Sequence, residues 1–441
     1  MSELIRKTTL PNGIRVLTEQ MPQVKTAAMG IWVGAGSRHE PAAQHGITHF
    51  LEHLFFKGTE RRSALEIAQI VDDIGGQMNA FTDREQTVFY VKVLSSHLEQ
   101  AVEICADMLL HSRFDPESVE RERQVITEEI KSYEDSPDEL VQDLFAQTVW
   151  NGHSLGRPVI GTLATVSRLT RDDFLAYVRR YYRAANVVIA VAGEVEHERV
   201  VDLIARYFGS WDGAVEFPPA DPPRLQADLA TRFKEIEQVH LCLGTQGLAH
   251  DDERRYTFSV LDTLVGGGMS SRLFQEIRER RGLVYTIGSY GASYRDGGLF
   301  VVYAGMSPQA GPEVITLTLE EFDKLKQEPP SAAELARAKE SLKGSLMLSL
   351  ESTGSRMSML ARSEVYYRRQ ITLDELIARI DAVTADEVRQ IVVDLFQPGR
   401  LSMAAIGPFR PDGKLDKEMR DAFERYRALT PSLSPPGRGG R

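Results

Sequence analysis

The sequence of 441 residues predicts an α+β fold in which two duplicated domains each pack helices against an antiparallel sheet. A proline-rich segment, Gly209 to Leu225, divides the chain nearly in half, and both halves run through the same order of strand-like and helix-like segments. The order repeats at an offset of about 210 residues, although residue identities do not. The predicted domains are 1–208 and 226–430, joined by a linker at 209–225 and followed by a disordered, Pro/Gly/Ser/Arg-rich tail at 431–441.

Each half is predicted to start with strands, to continue through two helices and another strand, and to end in long helices. Runs of apolar and β-branched residues indicate the strands, and apolar residues at helical spacing indicate the helices. The predicted strands are Thr26 to Gly36, Gln86 to Val93, Glu237 to Thr245 and Gly297 to Gly305. The predicted helix pairs are GITHFLEHLFFK with SALEIAQIVDDIG, and RRYTFSVLDTLVG with SSRLFQEIRER.

Composition and charge limit the class of protein. A hydrophobic content of 42% and a charged content of 26% are ordinary for a soluble globular protein, and no apolar run is long enough to cross a membrane. The net charge of −11 argues against nucleic-acid binding and favours basic ligands. The N-terminal segment has no export signal, and we expect Cys105 and Cys242 to be buried small hydrophobes in a reducing compartment. The cytoplasm is therefore the expected location.

The segment HFLEHLFFKGT places three ionisable groups in apolar sequence. His49 and His53 are four residues apart, so a helix presents both on one face, with Glu52 beside them. One interpretation is a pair of hydrogen-bonded core histidines. The other is a metal site in which both imidazoles bind one ion and Glu52 acts on water. The corresponding positions of the second half are Ser259, Asp262 and Thr263, so this chemistry is expected only in the first half.

A third ligand is expected on a long downstream helix. Asp115 is the predicted N-cap and Pro116 the first helical residue, and an apolar stripe follows at Val119, Val125, Ile126 and Ile130. On this helix Glu122 and Glu129 are two turns apart and share a face. The helix carries many acidic residues, so spacing alone does not select the ligand.

The motif, its spacing and its context resemble the pitrilysin/insulinase family of zinc peptidases, which carry an inverted His-x-x-Glu-His motif. HFLEH is followed by RERQVITEEI, which places Glu129 76 positions after His53. Within the family, the pattern is most similar to the β subunit of mitochondrial processing peptidase and its bacterial homologues. The resemblance extends from about Lys7 to about Gly407 and includes both halves of the chain.

The resemblance implies a zinc site in the first half. His49, His53 and Glu129 match the ligands of one Zn²⁺ per chain, Glu52 matches the general base, and Glu122 matches a carboxylate that supports the site without binding the metal. Such a set leaves the fourth tetrahedral position open to water, which Glu52 would deprotonate.

The resemblance also implies two substrate-binding regions. A strand would pair with an extended peptide by β-augmentation, through Asn79, Ala80, Phe81 and Thr82. In the second half, Arg278 and Tyr285 would stabilise the charge on the substrate carbonyl, although Arg280 and Arg281 lie next to Arg278. The implied activity is that of a zinc-dependent endopeptidase for unfolded or presequence-like peptides. A homodimer is the simplest assembly, and a heterodimer with a related subunit is the alternative.

Two other functions fit parts of the pattern. Non-haem iron oxygenases also use two histidines and a carboxylate, but they need no glutamate between helical histidines. A non-catalytic structural or assembly subunit of the same fold would keep the architecture with degraded motifs. Here every expected position is filled.

Overall fold

The computed structural model describes residues 4–217, 221–409 and 413–428. Within these residues the chain forms two compact units, each built on one sheet. Of the described residues, the first unit joins 4–135, 153–217, 221–222 and 343–378, and the second joins 136–152, 223–342, 379–409 and 413–428. The predicted domains follow the chain continuously and do not include this exchange of segments. Residues 218–220 of the predicted linker and all of the predicted tail lie outside the described residues.

The strands are numbered in chain order. Those of the first sheet are β1 (Ile5–Thr9), β2 (Arg15–Gln20), β3 (Thr26–Val33), β4 (Gln77–Thr82), β5 (Thr87–Leu94) and β6 (Val187–Gly193). Those of the second sheet are β7 (Leu229–Phe233), β8 (Val239–Gln246), β9 (Val284–Ser293), β10 (Gly298–Met306) and β11 (Ser402–Gly407). The four strands predicted from apolar patterning correspond to β3, β5, β8 and β10, and the strand predicted to bind a peptide corresponds to β4.

The α-helices of the described residues are also numbered in chain order. In chain order the helices are α1 (Ile47–Phe55), α2 (Ala64–Asp73), α3 (Leu98–His111), α4 (Pro116–Glu134), α5 (Pro137–Val149), α6 (Leu163–Val166), α7 (Arg171–Tyr181), α8 (His197–Phe208), α9 (Arg255–Val265), α10 (Gly311–Gln327), α11 (Ala332–Ser349), α12 (Thr353–Tyr367), α13 (Leu373–Ala382), α14 (Ala385–Leu395) and α15 (Lys414–Ala428). The last of the predicted helices, SSRLFQEIRER, contains a π-helical turn, Phe274–Glu279.

The two sheets share one topology. Their strand orders are β1-β2-β6-β3-β5-β4 and β7-β11-β8-β10-β9, so in the part of the chain that the structure describes the second sheet repeats the first without an equivalent of β1. This repetition confirms the α+β fold with duplicated domains. The sheets are mixed instead of wholly antiparallel, because β2 pairs with β6 and β7 with β11 in parallel. Parallel pairing needs a long crossover, and the helices between these strands supply it.

The first sheet is buried on both faces. On one face, side chains such as Ile31, Phe89 and Ile189 join a core with α1, α3, α4, α7 and α8. On the other face, Trp32 and Val188 join a smaller cluster that is completed by α12. The contribution of α12 is Met357, Leu360 and Ala361, all at most 4% exposed. A helix from the second half of the sequence therefore covers a sheet of the first half.

The second sheet has the reciprocal arrangement. One face carries Leu243, Phe300 and Met403 into a core with α9, α10, α14 and α15. The side chain of Gln142, on α5, accepts a hydrogen bond from Cys242 Sγ on β8 at 3.3 Å. Thus α5, from the first half of the sequence, belongs to the second unit. Cys105 and Cys242 are buried, as predicted, and form no disulfide. None of the described helices could span a bilayer.

Candidate metal centre

Helix α1, which carries the His-x-x-Glu-His motif, is fixed at its N-terminus by a buried glutamate. Its N-cap is Gly46, at φ 94°, and glycine has no side chain with which to cap the helix. Glu40 supplies the missing acceptor: its carboxylate receives the N–H groups of Gly46 and Thr48, both at 2.8 Å, and the Thr48 hydroxyl at 2.5 Å. A Cβ on Gly46 would lie 2.9 Å from the Cα of Gly161. The first turn therefore has little freedom to shift.

Helix α4 begins as the sequence predicts. The Asp115 side chain accepts the N–H of Ser118, and Pro116 is the first helical residue. Val119, Ile126 and Ile130 are buried, but Val125 is 49% exposed, so its assignment to the apolar stripe is wrong. One residue turns a helix by about 100°, so Val125 cannot share the face of Ile126.

Helix α4 brings two glutamates to α1, of which Glu122 is buried and Glu129 is exposed. Glu129 Oε1 lies 3.7 Å from His49 Nε2, and Glu129 Oε2 lies 3.6 Å from His53 Nε2. Glu122 Oε2 lies 3.3 Å from the other ring nitrogen of His53, Nδ1. The structure thus brings together four of the five residues that the sequence proposed for this centre, and the fifth is Glu52.

The spacing of the three donors fits a tetrahedral metal ion. One ligand atom from each of His49, His53 and Glu129 lies within 4.8 Å of the others. The contacts of 3.6 and 3.7 Å are too long for hydrogen bonds. They approach the separation of about 3.4 Å expected between two atoms that each bind zinc at about 2.1 Å. Burial, with a smaller effect of His53, lowers the pKa of His49 to about 4, so its imidazole is neutral and free to bind metal at neutral pH.

Glu52 lies on the same turn of α1 and is held by the sheet. Thr82, the last residue of β4, donates its hydroxyl to Glu52 Oε2 at 2.7 Å. Burial raises the pKa of Glu52 above its ordinary value, whereas the Thr82 hydrogen bond acts in the opposite direction. Such a carboxylate is a stronger base than an exposed one.

Strand β4, which contains the predicted peptide-binding residues, is an edge strand. Among the described strands it pairs with β5 alone, so its other edge has no neighbouring strand there. The backbone N–H of Ala80 donates a hydrogen bond to Asn79 Oδ1 at 2.8 Å. Phe81 is 45% exposed. A cavity of about 560 Å³ borders the strand, and its lining includes Phe56 and Tyr90.

Comparisons with known proteins show the family to which this chain belongs. Residues 15–163 match the family model described as Insulinase (Peptidase family M16), and residues 168–342 match that of the Peptidase M16 inactive domain. The chain is 42% identical over 405 residues to the uncharacterized zinc protease YmxG of Bacillus subtilis, covering 92% of this chain and 98% of that protein. The chain belongs to peptidase family M16.

Solved structures share the M16 fold with this chain. A protease from Helicobacter pylori superposes with a TM-score of 0.85 at 23% identity, covering 92% of this chain and 99% of that one. A Pseudomonas fluorescens structure described as a peptidase M16 inactive domain superposes with a TM-score of 0.86 at 20% identity, covering 92% and 98%. The family models and the sequence relatives confirm the predicted family, while the particular likeness to the β subunit of mitochondrial processing peptidase stays a prediction.

The second unit of this M16 chain carries the predicted Arg/Tyr pair. Arg278 lies in the π-helical turn, with its guanidinium 4.7 Å from the centre of the Phe274 ring. The neighbouring arginines, Arg280 and Arg281, both pair with Glu276, at 2.8 and 3.0 Å. Within the described ranges no carboxylate pairs with Arg278. Tyr285, on β9, is 63% exposed. These contacts distinguish Arg278 from its neighbours, which the sequence could not do.

Two residues of this centre were missed by the sequence interpretation. Lys57 pairs with Glu122, and Glu40 caps α1. Lys57 is four residues after His53, as His53 is after His49, and this regular spacing is the signal that could have identified it. Glu40 lies outside any helix, and nothing in its local sequence marks its role.

Proposed function

We propose that this M16 chain is a zinc-dependent endopeptidase that cleaves extended, unfolded or presequence-like peptides. The observation that carries the proposal is the convergence of two imidazoles and one carboxylate at 3.6 and 3.7 Å, with Glu52 on the same helical turn. The zinc-protease names of its relatives support the choice of metal. One ion per chain is proposed, since the described residues contain one such cluster.

The reaction divides its tasks among named side chains. His49, His53 and Glu129 would hold the zinc, which when bound supplies a Lewis acid and makes water acidic enough to ionise near neutral pH. Glu52 accepts the proton of the attacking water and passes it to the leaving amine. The Thr82 hydroxyl donates to Oε2 of Glu52 and so holds this carboxylate in place.

The substrate pairs with the open edge of β4. Backbone pairing gives affinity that does not depend on sequence, and it requires an extended peptide. The cavity beside Phe56 and Tyr90 is the proposed receptor for an apolar side chain near the cleaved bond. The net charge of −11 favours basic residues elsewhere in the peptide.

Arg278 and Tyr285 complete the proposed machinery. Both are exposed, and in the described residues Arg278 has no carboxylate partner, so its charge can contact a substrate oxygen. We place them against the centre of a second copy of the chain in a homodimer, with a heterodimer of related subunits as the alternative. The proposed location is the cytoplasm, and no nucleic acid or membrane is a proposed partner.

The test is digestion of an unfolded basic peptide by the purified protein. Wild type should cleave it, a chelator should abolish cleavage, and added zinc should restore it. Glu52→Gln should keep its zinc and lose at least about a hundredfold in kcat, the lower range for a general base. Glu128→Gln, which changes an exposed glutamate next to Glu129, should cleave like wild type.

The same experiment separates the alternatives. Zinc binding without cleavage by wild type, at every protein concentration, would favour the non-catalytic structural or assembly subunit. Iron instead of zinc in the purified protein would favour the oxygenase class.

A further inference from the structure

Glu122 is the carboxylate that contacts a zinc-binding histidine without being a proposed ligand itself. It is 5% exposed, and its two oxygens have different partners. Oε2 faces His53 Nδ1 at 3.3 Å, and Oε1 faces Lys57 Nζ at 2.9 Å. A buried carboxylate is costly unless it is paired, and among the described residues Lys57 is the lysine or arginine that pairs with it.

Lys57 belongs to the same row of side chains as the zinc-binding histidines. His49, His53 and Lys57 follow one another at intervals of four residues along one face, with Lys57 just beyond the C-terminal end of α1. Glu129 contacts the first residue of this row, His49, and Glu122 contacts the last, Lys57. The helices α1 and α4 therefore run antiparallel where they pack. Lys57 is therefore the last member of a contact chain that leads through Glu122 to the metal position.

We infer that Lys57 is a positioning residue for zinc binding: it fixes the Glu122 carboxylate, which in turn fixes the ring of His53 so that Nε2 faces the metal. The inference rests on the proposed zinc site. The contact from Glu122 supports His53 and not His49, because the described residues offer no hydrogen-bond partner to Nδ1 of His49. Without Lys57, the buried Glu122 would be left with a single partner and would turn toward solvent.

Zinc affinity, measured by competition with a chelating dye, tests the inference without any peptide substrate. Lys57→Met should weaken zinc binding about tenfold, the lower end of the range for residues that support a metal ligand. Lys57→Arg should recover most of the affinity, because it restores the charge. Lys25→Met removes an exposed lysine of the same unit, which pairs with Glu194, and should bind zinc like wild type.

A double substitution separates positioning from general stabilisation. In the Glu122→Gln background, Lys57→Met should cost no further zinc affinity, since the contact chain is already broken. An undiminished loss in that background, or wild-type affinity in Lys57→Met, would overturn the inference. Lys57→Gln, which keeps a polar side chain, replaces the Met variant if that variant does not fold.

The zinc affinities of the Lys57 variants can be measured whether or not the protein cleaves peptides. A wild type that binds zinc but cleaves nothing would contradict the proposed function and leave the effect of Lys57 measurable. A wild type without zinc affinity would overturn both.

Discussion

The hydroxyl group of Thr82 holds one carboxylate oxygen of Glu52. Thr82 donates to Oε2 at 2.7 Å from the end of the edge strand β4, so the strand proposed to bind the peptide also orients the proposed base. Positioning the base and pairing with the substrate are thus linked through one residue. The same contact explains why a change in β4 should affect the chemical step as well as binding.

Thr82→Val keeps the shape of the side chain and removes the hydroxyl. We expect kcat to fall about tenfold or more, the effect of losing one hydrogen bond to a charged group, while the zinc content stays that of wild type. Thr82→Ser, which retains the hydroxyl, is the matched control and should retain most of the activity. An unchanged kcat in Thr82→Val would show that this bond does not orient the base.

At the level of single residues, spacing in the sequence identified some members of the centre and not others. His49, Glu52 and His53 are adjacent on one helix, so local periodicity was enough. Glu122 and Glu129 could be chosen only through the family resemblance, because what distinguishes them from their acidic neighbours is the position of α4 against α1. Lys57 was missed since its partner, Glu122, lies on that other helix.

Among the elements, α1 depends most on a residue outside itself. Glu40 accepts three hydrogen bonds from the first turn of this helix, yet it is only 4% exposed. Burial raises the pKa of Glu40 from 4.5 to about 7, against the opposing effect of the three donors. The folded protein therefore holds a proton in a pH range where the unfolded chain has released it.

This proton predicts the pH dependence of stability. The contribution of Glu40 is complete below about pH 4.5 and is lost as the pH rises to about 7. In the metal-free protein, the denaturant midpoint of wild type should therefore fall between about pH 5 and about pH 7.5 by more than that of Glu40→Gln. Parallel pH profiles for the two proteins would contradict this prediction.

The start of α4 was predictable from its capping residues, but the residues of its buried face were only partly so. Asp115 and Pro116 gave the start of α4 correctly, whereas Val125 was placed on the wrong face. A stripe assigned from hydrophobicity alone includes any apolar residue whose position lies close to the helical repeat. The buried face also contains a charged residue, Glu122, which hydrophobicity could not indicate.

On the scale of the whole molecule, each sheet is covered by a helix from the opposite half of the sequence. In the first unit, α12 adds Met357, Leu360 and Ala361 to the cluster around Trp32. The same helix buries Glu364, which pairs with Lys7 at 2.8 Å and with Arg15 at 3.1 Å. The first sheet is therefore incomplete without residues that follow it by more than a hundred positions.

Separating the chain at the proline-rich segment should thus disrupt the first unit. We expect the fragment 1–217 alone to aggregate or to unfold without cooperativity, since the Trp32 face would be exposed. Co-expression with 218–441 should recover soluble protein that binds zinc. A soluble, cooperatively folded fragment would show that α12 is dispensable. The duplicated order of elements was visible in the sequence, but this exchange was not, because it depends on contacts between distant segments.

The central claim is that His49, His53 and Glu129 hold one metal ion together. Anomalous diffraction at the zinc absorption edge, from crystals of the purified protein, tests it most directly. We expect one strong peak per chain, about 2.0–2.2 Å from His49 Nε2, His53 Nε2 and a carboxylate oxygen of Glu129. No peak between α1 and α4, or a peak there whose third protein ligand is not Glu129, would contradict it.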